Sequence, residues 1–308
     1  MRKVTKLIID TDPGIDDAMA IFYAAAAPDI DLLGLTSIFG NVTVETATRN
    51  ALRLLETAGV DAPVAAGAPT PMAMPPFKPS SHVHGAEGFG DIPAATPSGQ
   101  PISETAAEFL CRMAREHKGE LVVCPIGPLT NIALALQLDP DFATNVDRIV
   151  LMGGSYREGG NITPHAEANI YHDPHAAEIV FASGAQVEMV GLDVTHQILC
   201  TAQDFEAIAK GAPRLGGMLQ DMSHFYLKFY ASVGKFEGCS LHDPAAVIAC
   251  THPELFDGSH VQITVSCDGD SLGATRDAED QRSTSLVYTS VAAKSVKDLF
   301  LARLANLA

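Results

Sequence analysis

Short apolar runs of strand length alternate with segments of helical periodicity over much of the chain. Most of the runs that predict strands are followed by Gly-containing turns. The predicted strands cover residues 4–9, 32–39, 120–126, 148–152 and 186–192, and the predicted helices cover residues 18–27, 44–58 and 130–138. This alternation predicts an α/β fold in which helices flank a mostly parallel central sheet of the open, Rossmann-like kind.

One long segment departs from the alternation. Residues 68–101 are rich in Pro, Gly and Ser and have no clear periodicity. A segment of this length inside a compact domain is often an active-site lid or a binding loop. Because the chain shows neither an internal repeat nor a linker, we predict a single domain over residues 1–308, with an active-site loop or insertion at 68–101.

The charge balance bears on the partners that the chain can bind. It has 37 Asp and Glu residues against 20 Lys and Arg residues, which gives a formal net charge of −17. Such a field repels polyanions, so we expect no nucleic-acid partner, although surface carboxylates also serve solubility. The hydrophobic fraction of 47% suffices for a large core. No apolar run reaches the length of a membrane span, about 18 residues, and we expect no membrane partner.

The N-terminus and the cysteines favour a cytoplasmic location. Lys6 and Asp10 interrupt the first apolar stretch before it is long enough for a signal peptide. The cysteines show no CxxC spacing and mostly lie in apolar surroundings, so we expect buried free thiols rather than disulfides or zinc ligands. The six are Cys111, Cys124, Cys200, Cys239, Cys250 and Cys267.

Four carboxylates follow the first predicted strand, in the segment Asp10-Thr11-Asp12-Pro13-Gly14-Ile15-Asp16-Asp17. Asp10 and Asp12 leave the strand on the same side because side chains alternate with a period of two. In parallel α/β sheets, ligands bind beyond the carboxyl ends of the strands. Helix capping alone explains Asp16 and Asp17, but it does not explain two carboxylates at the end of an apolar strand. The cluster predicts a hard cation, Ca²⁺ or Mg²⁺.

An all-oxygen metal site needs further ligands from elsewhere in the chain. Candidates are the backbone carbonyl of Ile126, at a strand end, and the carboxylate of Asp243 at a loop-to-helix junction. Spacing alone does not single them out. Asn131 lies at a predicted helix start, where capping is the simpler interpretation.

Together with this cluster, five further blocks resemble the inosine-uridine-preferring nucleoside hydrolase family over nearly the whole chain. The resemblance implies an enzyme that cleaves the N-glycosidic bond of ribonucleosides to ribose and free base, in salvage or catabolism, and that forms a homodimer or homotetramer. The blocks are Phe39-Gly40-Asn41-Val42, Gly127-Pro128-Leu129-Thr130-Asn131, Leu151-Met152-Gly153-Gly154, Ala166-Glu167-Ala168-Asn169 and Leu241-His242-Asp243-Pro244.

The resemblance also implies a calcium site and two catalytic residues. Asp12, Asp17 and Asp243 are expected to ligate Ca²⁺ through their side chains, and Ile126 through its carbonyl. Asp12 is also expected to act as general base toward the attacking water, with Asp10 orienting this group. His242 is expected to assist departure of the base, because a neutral imidazole can donate a proton near pH 7.

The substrate-binding residues are likewise implied by the resemblance. Positive charge builds on the sugar as the glycosidic bond breaks, and anionic side chains around the ribose stabilise it. Asp16 and Asn41 are expected to bind the ribose hydroxyls, and Met152 to pack against the sugar. Residues expected on the 5′ side of the ribose are Asn161, Glu167 and Asn169.

The base end of the expected site is less defined. His84, with His82, is expected to contact the base from a flexible loop, and Tyr226 and Tyr230 are either stacking or relay residues or ordinary core aromatics. Ala168 stands where the family commonly has an aromatic residue, which opens space beside the sugar. The chain has no Trp, which disfavours the purine-selective branch that stacks the base between tryptophans. The preferred base stays open.

Two alternatives remain from other functional classes. A magnesium-dependent phosphatase or phosphotransferase could use Asp10 and Asp12 as an Asp-x-Asp motif, but it needs a cation to clamp the phosphate, and no Lys or Arg stands out beside a strand end. A non-catalytic nucleoside-binding protein could keep the metal, although pure binding needs no general acid such as His242.

Overall fold

The computed structural model describes residues 4–234, 237–280 and 282–306. Its strands are β1 (Thr5–Thr11), β2 (Ile30–Ser37), β3 (Val64–Ala66), β4 (Leu121–Pro125), β5 (Arg148–Met152), β6 (Val187–Val190), β7 (Leu199–Cys200), β8 (Cys239–Ser240), β9 (Phe256–Val261), β10 (Ile263–Val265), β11 (Thr275–Asp277) and β12 (Ser285–Val291).

The α-helices of the described residues are interspersed with the strands along the chain. They are α1 (Ile15–Ala26), α2 (Val44–Ala58), α3 (Ser81–His84), α4 (Ala106–Glu116), α5 (Thr130–Leu138), α6 (Phe142–Asn145), α7 (Ala168–His172), α8 (Pro174–Ala182), α9 (Leu192–Thr195), α10 (Ala202–Gly211), α11 (Pro213–Val233), α12 (His242–Thr251) and α13 (Ala293–Ala305); a short 3₁₀ helix covers Pro253–Leu255.

Eight strands form the central sheet in the order β3-β2-β1-β4-β5-β6-β12-β9. All neighbours are parallel except β9, which runs antiparallel to β12. The strand order reverses between β1 and β4, because the chain first builds outward to β3 and then returns to the other side of β1. In open parallel sheets the crevice beyond such a reversal is the place where ligands bind. The predicted α/β fold is therefore confirmed, and its switch point lies at Asp10 and Pro125.

Two apolar layers cover the two faces of the sheet. Leu7 and Ile9 of β1 face the layer that includes α1, α11, α12 and α13, whereas Ile8 faces the layer of α4, α5 and α8. This division follows from the alternation of side chains along a strand, and it explains why β1 is apolar at consecutive positions. All six cysteines are free thiols, and only Cys267 is not fully buried, as the sequence predicts.

The predicted boundaries of α2, α5 and β5 agree with the structure, and the other predicted elements differ by a few residues at their ends. The segment 68–101 is mostly irregular, with α3 as its single helical turn. Of the strands in the central sheet, the pattern missed β3, which has three residues, β9, whose largely exposed polar side chains give no apolar signal, and β12. In the described part of the chain, no helix has both the length and the apolarity needed to cross a membrane.

Candidate active site

The turn between β1 and α1 places three carboxylates beside the switch point. Asp17 lies in the first turn of α1, where its Oδ2 accepts hydrogen bonds from the backbone N–H of Gly14 (2.9 Å) and from Nδ2 of Asn41 (3.1 Å). Its Oδ1 accepts from the hydroxyl of Thr11 at 2.6 Å. Asp12 and Asp16 are buried beside it. Asp17 therefore caps the start of α1, as the capping interpretation expects, and it is also one member of a larger group of carboxylates.

Asp12 is held in a narrow space that only glycine allows. A Cβ on Gly40 would lie 2.0 Å from Oδ2 of Asp12, and a Cβ on Gly127 would lie 2.6 Å from its Oδ1. Oδ2 accepts a hydrogen bond from the backbone N–H of Asn41 (2.6 Å), whereas Oδ1 is buried and has no hydrogen-bond partner. Burial, followed by the charge of Asp17, raises the pKa of Asp12 well above its usual range. Oδ1 is thus a buried acceptor whose desolvation no hydrogen bond from the described residues offsets.

Three carboxylates converge closely enough to share one cation. Asp16, Asp17 and Asp243 each offer an oxygen, and these oxygens lie within 4.8 Å of one another. Burial raises the pKa of Asp16 and of Asp17 to about 6, and it raises the pKa of Asp243 still more strongly, with a further contribution from the charge of Asp16. Oδ1 of Asp16 also lacks a hydrogen-bond partner. The donor set, all carboxylate oxygen and dry, fits a hard divalent cation.

The three carboxylates that converge are not the same three that the resemblance assigned to the metal. Asp17 and Asp243 belong to the converging group, as predicted, but its third member is Asp16, which the resemblance assigned to the ribose. Asp12 shares Asn41 with Asp17 and lies beside the group. The carbonyl of Ile126 lines the same cavity and accepts a hydrogen bond from Nδ2 of Asn169 at 2.9 Å.

Asp10 is turned toward the interior of the sheet. Its Oδ1 accepts hydrogen bonds from the hydroxyl of Thr36 (2.5 Å) and from Nδ2 of Asn131 (2.7 Å), and burial raises its pKa to about 7. Asn131 also bonds to the backbone of Ser37 and Ala68. The capping interpretation of Asn131 is therefore wrong, since its side chain ties β1 to β2 and to the start of the long loop. The hydrogen bonds of Asp10 go to Thr36 and Asn131, and its expected orienting role toward Asp12 stays a prediction.

A cavity of about 350 Å³ opens above these carboxylates. All the residues that the resemblance assigned to substrate binding line it, although they come from six separate segments of the chain. They are Asp16, Asn41, His84, Met152, Asn161, Glu167 and Asn169.

One wall of the cavity consists of the segment around α7. The carboxylate of Glu167 caps α7 by accepting from the N–H of Asn169 (2.9 Å) and Ile170 (3.2 Å), and it also accepts from the N–H of Gly154 (2.9 Å). Burial raises the pKa of Glu167 to about 7. Nδ2 of Asn169 donates to the carbonyl of Met152 at 3.1 Å. This wall is therefore rigid and carries carboxylate and amide groups.

Asn161 and Ala168 belong to the same wall. Oδ1 of Asn161 accepts a hydrogen bond from the N–H of Ala168 at 3.0 Å, so the Asn side chain also stabilises the loop in which it lies. Both residues line the cavity. The small Ala168 side chain leaves the space between them open.

The opposite wall is built from imidazoles and tyrosines. Nε2 of His242 lies 2.7 Å from the hydroxyl of Tyr230, and Nδ1 lies 2.8 Å from Oγ1 of Thr195. Burial lowers the pKa of His242 to about 3, so this imidazole is neutral at pH 7. The hydroxyl of Tyr226 donates to Oδ2 of Asp16 at 3.0 Å. Both tyrosines, whose role the sequence left open, line the cavity and contact its titratable groups.

The long loop forms a third side of the cavity. Nδ1 of His84 accepts a hydrogen bond from the backbone N–H of Ile15 (3.2 Å) and lies 3.7 Å from Oδ1 of Asp16. Burial lowers the pKa of His84 to about 4. His82 packs edge-on against Phe229 and also lines the cavity. The one helical turn of the loop, α3, thus carries His84 to the start of α1 and His82 to α11.

Sequence reasoning missed several residues that line the cavity. Phe229 and Val233 lie on the same helix as the two tyrosines, one turn apart, so the helical spacing could have indicated them. His196 follows α9, a single turn with no periodic signal. Other missed lining residues are Ser80, Val83, Gly160 and Ile162.

The lining disfavours a phosphate ester as substrate. Among the described residues that line the cavity, none is a Lys or an Arg. A phosphotransferase of the Asp-x-Asp kind needs such a cation to neutralise the transferring group. The chemistry present is instead that of carboxylates, amides, neutral imidazoles and phenols.

A comparison with known families agrees with this chemistry. The model of the family described as "Inosine-uridine preferring nucleoside hydrolase" matches residues 7–298. The chain belongs to this family. The predicted resemblance is therefore confirmed, and so is the expectation that this nucleoside hydrolase is an enzyme of the N-glycosidase class.

Relatives of the nucleoside hydrolase carry names that cover different bases. "Probable uridine nucleosidase 2" of Arabidopsis thaliana is 45% identical over 272 residues, 88% of this chain and 84% of that protein. "Pyrimidine-specific ribonucleoside hydrolase RihA" of Photobacterium profundum is 37% identical over 97% of this chain and 98% of its own. The solved structure of a purine-preferring ribonucleoside hydrolase from Gardnerella vaginalis is 35% identical, covers 98% of this chain and 99% of its own, and has a TM-score of 0.95.

Proposed function

We propose that this nucleoside hydrolase performs calcium-dependent hydrolysis of the N-glycosidic bond of ribonucleosides, releasing ribose and the free base. The observation that carries the proposal is the convergence of Asp16, Asp17 and Asp243. Asp16 and Asp243 line the cavity, Asp17 and the neighbouring Asp12 are fully buried beside it, and the same lining holds neutral imidazole and phenol groups. The carboxylates suit a sugar that becomes positively charged, and the imidazole and phenol groups suit a base that must accept a proton.

Calcium is the proposed occupant of the carboxylate group. Asp17 and Asp243 are the strongest candidates for ligands, joined by Asp12 or Asp16 and by the carbonyl of Ile126. When bound, Ca²⁺ supplies neutralising charge and makes an adjacent water more acidic. Oxygen-only donors favour it over softer metals.

Asp12 is the proposed general base. Its Oδ1 has no hydrogen-bond partner among the described residues and is therefore available to accept a proton from an attacking water. Gly40 and Gly127 leave no room for the carboxylate to turn away. A base held in one orientation costs little reorganisation at the moment of reaction.

The ribose is proposed to lie between Asn41 and the α7 wall. As the glycosidic bond breaks, positive charge spreads over the sugar ring, and the buried carboxylates of Asp16 and Glu167 stabilise it. Asp16 and Asn41 are placed to bind the ribose hydroxyls, and Asn161 and Asn169 the 5′ side.

The leaving base is proposed to face His242 and Tyr230. His242 is neutral at pH 7, so a proton that it gives to the base leaves a negative charge on the pair of His242 and Tyr230, and the solvent then returns the proton. The Tyr230 hydroxyl lies in hydrogen-bond contact with Nε2 and can extend this path toward the base. The names of the relatives include uridine, pyrimidine and purine preferences, so the base is best decided by assay.

The test is a panel of ribonucleosides assayed for release of reducing sugar, with and without a calcium chelator. We expect ribose from at least one ribonucleoside, loss of turnover after chelation, recovery with added Ca²⁺, and little reaction with 2′-deoxyuridine. Asp12→Asn is expected to lower kcat by about 10²–10⁴-fold, the usual contribution of a general base. Asp31→Asn, an exposed carboxylate outside the cavity, is the matched control.

Two outcomes of the same panel contradict the proposal. Phosphate release from a phosphoester, without ribose from any nucleoside, indicates the phosphotransferase alternative. Nucleoside binding detected by calorimetry, with no turnover at any calcium concentration, indicates a non-catalytic binding protein.

A further inference from the structure

A second imidazole lines the cavity beside His242 and has no part in the function proposed above. His196 follows α9, and its ring lies edge-on to that of His242 with ring centroids 5.7 Å apart. Its Nδ1 lies 3.4 Å from Oε1 of Glu158, in the loop that follows β5. The His196 side chain is 10% exposed and lines the cavity, whereas that of Glu158 is 42% exposed.

The surroundings of His196 fix its place. The carboxylate of Asp193 accepts hydrogen bonds from the backbone N–H of Tyr156 and of Arg157, both at 2.7 Å. On the other side of the same turn, Thr195 contacts Nδ1 of His242. The segment 193–196 therefore connects the loop that carries Glu158 to the imidazole wall, and an imidazole held this way can serve recognition.

The partner of Nδ1 determines what the ring can recognise. A carboxylate only accepts hydrogen bonds, so Nδ1 of His196 carries the proton that it donates to Glu158. In a neutral imidazole the other nitrogen, Nε2, is then a hydrogen-bond acceptor. An acceptor pairs with an N–H group of a ligand and disfavours another acceptor at the same place.

We propose that His196 is a specificity-determining residue that accepts a hydrogen bond from a ring N–H of the nucleobase, with Glu158 setting the tautomer of the imidazole. This inference rests on the proposed function. It names the substrate class: ribonucleosides whose base is a lactam or imide, such as uracil with its N3–H, rather than bases such as cytosine, which present an unprotonated ring nitrogen. Uracil has an N–H at the ring position where cytosine has an unprotonated nitrogen, so one hydrogen-bond acceptor can discriminate between the two bases.

The experiment compares kcat/KM for uridine, cytidine and 3-methyluridine, which lacks the N3–H, in the full-length calcium-loaded protein. The wild type is expected to prefer uridine over both. His196→Phe is expected to lower the uridine-to-cytidine ratio by about tenfold, as expected for one hydrogen bond. His196→Gln keeps an acceptor oxygen and is expected to restore part of the ratio. His224→Phe, an exposed histidine of α11 outside the cavity, is the matched control.

Glu158→Gln gives an independent test at a side chain that is partly exposed and tolerant of change. An amide can accept from or donate to Nδ1, so both tautomers of His196 become available and the uridine preference is expected to weaken. Glu206→Gln, an exposed acid of α10, is the control. An unchanged uridine-to-cytidine ratio in His196→Phe or Glu158→Gln, or a wild type that cleaves cytidine as well as uridine, overturns the inference. Absence of any ribose release by the wild type instead contradicts the proposed function.

Discussion

The hydroxyl of Tyr230 and Nε2 of His242 lie 2.7 Å apart in the lining of the cavity. Burial holds the pKa of His242 near 3, so the pair is uncharged at neutral pH. A proton that this pair gives to a departing base leaves a negative charge on the pair, which a proton from the solvent must later neutralise. Its contribution should therefore depend on how much the leaving group needs a proton.

We predict that His242→Ala slows hydrolysis of nucleosides more than hydrolysis of p-nitrophenyl riboside, whose leaving group departs without a proton. The expected loss in kcat is about 10²-fold or more for nucleosides and small for the aryl riboside. Tyr230→Phe is expected to show the same preference in weaker form. Equal slowing on both kinds of substrate would exclude the proton-donating role and leave only a positioning role.

Calcium binding should also raise the thermal stability of the folded protein. Calcium that binds only the folded state raises the free energy of unfolding by about 2.7 kcal/mol at a hundredfold excess over Kd. We predict that a chelator lowers Tm, that Ca²⁺ restores it, and that Asp243→Asn removes this response. Asp257→Asn, an exposed position on β9, should respond to Ca²⁺ like the wild type. A Tm that is independent of Ca²⁺ in the wild type would contradict calcium binding by the folded chain.

Gly127 is far from Asp12 in the sequence but packs directly against its carboxylate. A Cβ on Gly127 would come within 2.6 Å of Oδ1 of Asp12 and within 2.8 Å of Ile38. We predict that Gly127→Ala displaces the carboxylate and lowers kcat by about tenfold or more, since small misplacements of a reacting group are costly. Gly217→Ala in α11, where a Cβ meets nothing within 4 Å, should keep full activity and gain about 0.5–1 kcal/mol. Wild-type kcat in Gly127→Ala would show that Asp12 tolerates displacement.

Asp10 gives a prediction for the pH dependence of stability in the chelated protein. Burial raises its pKa to about 7, whereas the pKa in the unfolded chain is about 3.9. Between these values the folded protein keeps a proton that the unfolded chain releases, so the Asp10 contribution to stability falls as the pH rises from 4 to 7. Asp10→Asn carries no charge.

We therefore expect Asp10→Asn to be more stable than the wild type by about 4 kcal/mol at pH 8, which is about three pKa units at about 1.36 kcal/mol each, and to approach the wild type near pH 4. Denaturant unfolding at pH 4, 6 and 8 in the presence of chelator measures the difference. A difference that is the same at all three pH values, or that grows toward pH 4, would show that Asp10 is not a buried charge. Activity should fall modestly, because Asp10 orients Asn131 rather than the substrate.

The sequence predicted the part of the site that is local in the chain. Asp12, Asp16 and Asp17 follow one strand within six positions. Carboxylates at the end of an apolar strand indicate a functional site, because burying their charge is costly. Distant residues such as Asn169 were reached only through the family resemblance, and their presence in one cavity supports that assignment. The expected cytoplasmic location and homo-oligomer stay predictions.

What the sequence could not provide depends on contacts between separate elements. Nothing in the spacing of Asn131 indicates that it bonds to Asp10, 121 positions away. Likewise Glu158 and His196 are 38 positions apart and meet only because β5 and β6 are neighbours in the sheet. Their pairing follows from the strand order, which periodicity does not encode.

The two walls of the cavity come from different structural origins. Asp12, Asp16 and Asp17 follow the end of β1, and Asp17 accepts a backbone hydrogen bond from Gly14, whereas Tyr226, Tyr230 and Phe229 lie on α11 and the histidines of α3 belong to a long loop. On the proposed function, substitutions at Phe229 and His82, which pack against each other, are expected to change which base is accepted while Asp12 and Asp17 stay in place. Such a division would let a lineage exchange one nucleoside for another through a few mutations and keep the residues that break the bond.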